Sequence, residues 1–149
     1  MTKRTITIVG GGQSGLQLGC GLLSNGYDVH VVQNRTAEQV RTGKVLSSQC
    51  MFNNALQNER DIGLAFWENT CPTVDSIGFA VPAPDGSGNR AIDWNGLLDK
   101  PAMSVDQRVK IPAWMAEFER RGGRITIAEA GIAELENYAR ASDLVIVAA

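Results

Sequence analysis

The residues with the most readable chemistry stand near the amino terminus. Gly10-Gly11-Gly12-Gln13-Ser14-Gly15 satisfies the pattern GxGxxG. The pattern alone is common, and its context gives it meaning. An apolar β-branched run, Arg4 to Val9, precedes it. A helix-spaced apolar set, Leu16, Leu18, Leu22 and Leu23, follows and ends at Asn25-Gly26. A strand, a glycine turn and a helix in this order make a cradle for a diphosphate. Gly10 permits the tight turn, Gly12 lets the backbone touch the phosphates, and Gly15 lets helix and strand lie close. The helix start then supplies free N–H groups and a partial positive charge to the phosphates. From Thr5 to Tyr27 no side chain is charged, so no local carboxylate repels an anion.

The next candidates lie where the second strand, Val29 to Val32, ends. An acid at such a strand end ordinarily accepts the ribose hydroxyls of the adenosine. Here the residues are Gln33-Asn34-Arg35. An amide bonds hydroxyls without charge assistance. Arg35 suits a 2′-phosphate, as in NADP proteins, an adenine face, or plain solvent. The glycine loop thus specifies a dinucleotide, and the strand end leaves FAD and NADP open. His30 alternates among apolar neighbours and reads as structural. Asp106 and Arg108, two residues apart, read on their own as a local ion pair. Cys50-Met51-Phe52 reads equally as pocket lining or as core. Cys20, Cys50 and Cys71 are widely spaced, so neither a disulfide framework nor a Cys/His zinc site is expected, and a reducing cytoplasm is the default compartment.

The elements that must position these groups follow an α/β order. The first crossover is β–α–β and pairs its strands in parallel. Residues 52–62 read as a helix. Residues 73–95, with the turn Pro82-Ala-Pro-Asp-Gly-Ser-Gly-Asn89, read as a small antiparallel insertion. Ile111, Trp114, Met115 and Phe118 share one helical face. Pro112 implies a helix that starts there or is kinked. Gly122-Gly123 stops it. Arg124 to Ala128 is a strand, 131–140 a short helix, and Leu144 onward a strand apolar on both faces, which belongs in the middle of a covered sheet. A chain ending within such a strand reads as the front part of a longer protein, without its substrate domain. The expectation is therefore one Rossmann-like dinucleotide-binding domain over 1–149, with a parallel central sheet.

Composition closes other routes. The 149 residues are 44% hydrophobic and 20% charged with net charge −2, a globular balance. That excludes a nucleic-acid binder working through a basic field and a polybasic membrane anchor. No apolar run approaches a membrane span, and Ile6 to Val9 is too short for a signal segment.

The run Ile8-Val-Gly-Gly-Gly-Gln-Ser-Gly-Leu-Gln-Leu-Gly19 resembles the amino terminus of the styrene/indole monooxygenases. Also similar are Arg35, Gly43-Lys-Val-Leu-Ser-Ser-Gln49 with Asn53, Val105-Asp-Gln-Arg108 with Pro112, and Arg121-Gly-Gly123 leading to Asp143-Leu-Val-Ile-Val147. The resemblance implies a p-hydroxybenzoate-hydroxylase-like fold and FAD in place of NADP. It implies reduced FAD delivered by a partner flavin reductase, a flavin hydroperoxide formed with O₂, and oxygen transfer to a small styrene- or indole-like aromatic. It places Gly10, Gly12, Gln13, Ser14 and Gly15 at the pyrophosphate, and Arg35 at the adenosine side with Gln33 and Asn34 beside it. Ser48, Gln49 and the neighbours of Asn53 approach the flavin or line its entrance, and Arg108 reaches the phosphate–ribityl region. A homodimer is compatible with it, and nothing in it calls for a metal, a membrane or a nucleic acid. The sequence departs at Asn34, where the family often has an acid, and at Phe52, where a histidine is often seen.

Overall fold

The structure, a computed structural model, describes residues 3–45 and 49–148. Four parallel strands form the central sheet: β1 (Thr5–Val9), β2 (Asp28–Gln33), β5 (Arg124–Ile127) and β6 (Leu144–Val147), in the order β5-β2-β1-β6. Ile8 lies in register with Val31 on one side and Ile146 on the other. Side chains alternate across the sheet, so successive residues face opposite sides. Ile6, Ile8, Val29 and Val31 point to the side filled by Leu16 and Cys20 of α1 (Gln13–Ser24) and by Trp114 and Phe118 of α4 (Gln107–Arg120). Each such side chain, fully buried, contributes about 1.5–3 kcal/mol. The other side is more polar. Thr7 meets Ser142 at 2.7 Å, His30 meets Thr126 at 2.8 Å, and Tyr138 of α5 (Ile132–Ala141) packs edge-on against His30. Burial lowers the His30 pKa, and Arg124 pushes it the same way, so the ring is neutral near pH 7.

Close approach of α1 depends on small residues. A Cβ at Gly19 would come within 2.8 Å of the Phe118 ring. Helix α4 begins at Gln107, earlier than Pro112 suggests, because the Asp106 carboxylate caps it by accepting from the Arg108 amide at 2.8 Å. Pro112 is buried inside the helix, and the helix continues through it. At its carboxyl end Arg121 donates to the carbonyls of Ile62 and Gly63, at 2.8 and 3.1 Å. Trp114 donates to Leu64 O at 3.1 Å. These bonds hold the segment after α3 (Asn53–Asp61) against α4. Between the two helices lies an ion pair, Lys110 Nζ to Glu59 Oε1 at 2.6 Å, both side chains out of solvent. The ammonium also sits 4.8 Å over the Trp114 ring. Glu59 Oε2 has no hydrogen-bond partner among the described residues.

Two sequence expectations change, and one element is new. The antiparallel insertion is a hairpin of β3 (Thr73–Pro82) and β4 (Arg90–Met103), so it extends past residue 95. Its far end is tied back by backbone bonds between Met51 and Met103, at 2.8 and 3.0 Å. A short helix, α2 (Ala37–Arg41), opens with a capping box in which Thr36 and Gln39 satisfy each other's amides. Last, among the described residues β6 pairs with β1 alone and stands at the edge of the sheet, with Leu144 and Val147 exposed. Among the described residues no helix is long and apolar enough to cross a membrane.

Candidate functional site

Parallel strands end together, and ligands of open α/β sheets bind beyond those ends. A cavity of about 660 Å³ opens there, within the usual range for small-molecule sites. Gly10, Gly11, Gly12, Gln13 and Ser14 form one wall. Gln33, Asn34 and Arg35 from the end of β2 form a second, with Ala128, Glu129 and Ala130 from the end of β5 beside them. Gln49 and Gln107 close a third, and Val9, Val40 and Ile111 supply apolar surface.

The glycines divide by function. Gly10 has φ +117°, a conformation that L side chains rarely adopt, and its N–H is bonded to Val32 O at 2.8 Å. Gly15 is buried, and a Cβ there would lie 1.9 Å from the carbonyl oxygen of Gly10. Both are demanded by the fold. Gly12 is different. Its backbone is extended, it is exposed, and a Cβ built on it meets nothing within 4 Å. The fold does not require a glycine there, and an added side chain would project into open space at the cavity. Among the described residues the amides of Gly11, Gly12, Gln13 and Ser14 donate no hydrogen bond. Gly12 caps α1 without a side chain. Unpaired donors on residues that line a hollow at a helix start suit an anion. A dinucleotide's diphosphate therefore fits these residues.

Three glutamines form the lateral wall. Gln107, which is buried, donates to Gln13 Oε1 at 2.9 Å and to Gln49 Oε1 at 3.2 Å. Gln13 in turn donates to Met51 Sδ at 3.2 Å. This network couples the loop to α4 and to the segment before α3. Gln33 is also buried, and its amide nitrogen is engaged by the Arg35 carbonyl and by Met115 Sδ. Its oxygen lies against Gly11, where a Cβ would come within 2.0 Å of it. Gln33 therefore shapes the turn as well as lining the cavity.

Of the residues expected at a cofactor, Gly10, Gly12, Gln13, Ser14, Gln33, Asn34, Arg35 and Gln49 share this one cavity. Gly15 lies beneath it. Ser48 falls outside the described residues. Arg108 is not on the wall. Its guanidinium is held by Asp106, with Nη2 to Oδ2 at 2.6 Å. The pairing holds the Asp106 carboxyl below its ordinary range. Asn53 accepts from Arg60 at 3.2 Å and faces a smaller hollow of about 290 Å³ beside β4. Gln107 and Glu129 were not anticipated. Gln107 stands between two charged residues and is a polar side chain with no local pattern of its own. Glu129 follows β5, far along the chain, and the sheet order brings it to the site.

Solved structures share this fold. The tetrameric form of 2-methyl-3-hydroxypyridine-5-carboxylic acid oxygenase matches 87% of this chain and 33% of its own, with TM-score 0.58 and 16% identity. The flavin-dependent brominase Bmp2 matches 85% of this chain and 29% of its own, with TM-score 0.59 and 19% identity. In sequence, styrene monooxygenase StyA of a Pseudomonas species is 28% identical over 145 residues, 97% of this chain. The StyA of Pseudomonas fluorescens matches to the same extent. The chain therefore resembles styrene monooxygenase along nearly its whole length, and it spans 34% of the length of these relatives. No family model matches the chain.

Proposed function

We propose that this chain is the FAD-binding portion of a two-component flavin-dependent monooxygenase. The observation that carries this reading is Gly12: open space on its side-chain face, beside amides with no partner among the described residues, in a cavity at the strand ends. The similarity to styrene monooxygenase supports FAD over a nicotinamide cofactor.

In this reading the amides of Gly12, Gln13 and Ser14 bind the pyrophosphate, and the helix start offsets its charge. Arg35 lies at the adenosine end. Gln107 holds the Gln13 and Gln49 side chains in place, so that the wall is formed before ligand arrives. Val9, Val40 and Ile111 keep water from the phosphates. Bound reduced flavin supplies the oxygen chemistry, and the protein contributes binding, orientation and exclusion of water. The whole protein then takes reduced FAD from a reductase, acts on a small styrene- or indole-like aromatic, and works in the cytoplasm, with a homodimer compatible.

Titration of the purified chain with FAD, NADH and NADPH tests the reading. Saturable quenching of flavin fluorescence, with neither nicotinamide competing at tenfold excess, is the expected result. A folded chain that ignores FAD, yet binds NADPH and loses it on Arg35→Ala, would identify a nicotinamide domain instead.

A further inference from the structure

The end of β2 lacks the carboxylate that adenosine ribose ordinarily meets, since Asn34 stands there. The sheet supplies one from the adjacent strand. Gln33 pairs with Ile127 across β2 and β5, and the Ala128 amide donates to Gln33 O at 3.0 Å. Beyond that last bond the two chains leave the sheet side by side, one carrying Asn34-Arg35 and the other Glu129. Among the described residues Arg35 and Glu129 are the charged ones on the cavity wall. Among the described residues neither side chain forms a hydrogen bond or an ion pair, with each other or with anything else. Glu129 is exposed, and the fold makes no visible use of its charge.

We propose that Glu129 accepts the hydroxyls of the adenosine ribose, replacing from β5 the acid missing from β2. The proposal rests on the FAD reading above. A carboxylate takes two vicinal O–H donors through charge-assisted bonds that the Asn34 amide cannot match. The same carboxylate repels a 2′-phosphate, so Glu129 selects a free ribose and opposes the phosphate that Arg35 alone would welcome. Arg35 is then left to the adenine face or the neighbouring phosphate.

The test uses Glu129→Gln and the double variant Asn34→Asp/Glu129→Gln, with FAD, ADP, 2′-deoxy-ADP and the 2′-phosphate of ADP as probes. Circular dichroism should show both variants folded. Calorimetry should find ADP and FAD weakened about tenfold by Glu129→Gln, the scale of a lost charge-assisted bond. The loss should be smaller for 2′-deoxy-ADP, and discrimination against the 2′-phosphate should fall. Restoring an acid on β2 in the double variant should recover FAD. Unchanged ADP and FAD affinity in Glu129→Gln, or an equal loss for ADP and 2′-deoxy-ADP, overturns the role of Glu129 and leaves the glycine-loop reading standing. A folded wild-type chain that binds none of the probes overturns both.

Discussion

Replacing Gly12 by valine separates ligand binding from folding. The backbone there has φ −76° and ψ −168°, an extended conformation that valine accepts. A Cβ at Gly12 meets no atom within 4 Å, so the substitution creates no clash in the free chain. Its folding cost is that of a poorer helix cap, about 1 kcal/mol, or a melting-point loss of about 2–4 °C for a chain of this size. Ligand binding should suffer far more. Three carbons would occupy the approach to amides that, in the proposed function, carry charge-assisted bonds of about 1.5–3 kcal/mol each. Losing two of them weakens FAD by about two to four orders of magnitude. Gly15→Ala provides the contrast. Its Cβ would lie 1.9 Å from a main-chain oxygen, so the turn itself must move, at a cost on the order of 3 kcal/mol. Flavin fluorescence and thermal unfolding measured on both variants check the pair. Wild-type FAD affinity in Gly12→Val, or loss of its fold, would refute the argument.

The buried ion pair predicts a second asymmetry. Lys110→Met alone strands the Glu59 carboxylate and should cost about 3–5 kcal/mol in urea unfolding. Adding Glu59→Leu should recover most of that, and a double variant no better than the single would contradict it. Acid should destabilise the chain in two stages. His30 has a lowered pKa, so its contribution is present above about pH 6.5 and is lost as pH falls through the folded value. Glu117, held at about 2 first by Arg120 and then by Arg121, contributes above about pH 4.5 and loses that contribution as pH falls toward 2. Melting followed from pH 7 to 3 should show both stages, and Glu117→Gln should flatten the lower one. Among the thiols, burial pushes Cys20 up to about 11 while Cys50 is exposed. A thiol reagent at pH 8 should therefore label Cys50 within minutes and leave Cys20 untouched until the chain unfolds.

How much of this was legible depends on where burial leaves a signature. β1, β2, α1 and the face of α4 pack on one core, so their apolar periods showed in the sequence. The hairpin packs on little, with Trp94 and Leu97 exposed, and polar residues such as Asn95 and Asp99 gave no period to follow to Met103. α2 is five residues long, too short for a period, though Thr36-Ala-Glu-Gln39 carried the capping box. The apolar run of β6 suggested an interior strand, but apolar content does not fix strand order, and the pairing puts it at the edge. At the site the glycine loop was readable because its roles are local. Gln107 and Glu129 were not, because they reach the cavity through α4 and β5, elements whose placement no local pattern states.

The bond between Glu59 and Lys110 also acts as a rotational index. A helix turns about 100° for each residue it advances. Slipping α3 by a single position would swing the Glu59 carboxylate away from the ammonium and leave both charges dry and alone. Only one setting of α3 is therefore tolerated. The chain enters that helix through Met51, whose sulfur receives the Gln13 amide. The ion pair that sets the turn of α3 is thus linked, through Met51, to the side chain of the first residue of α1.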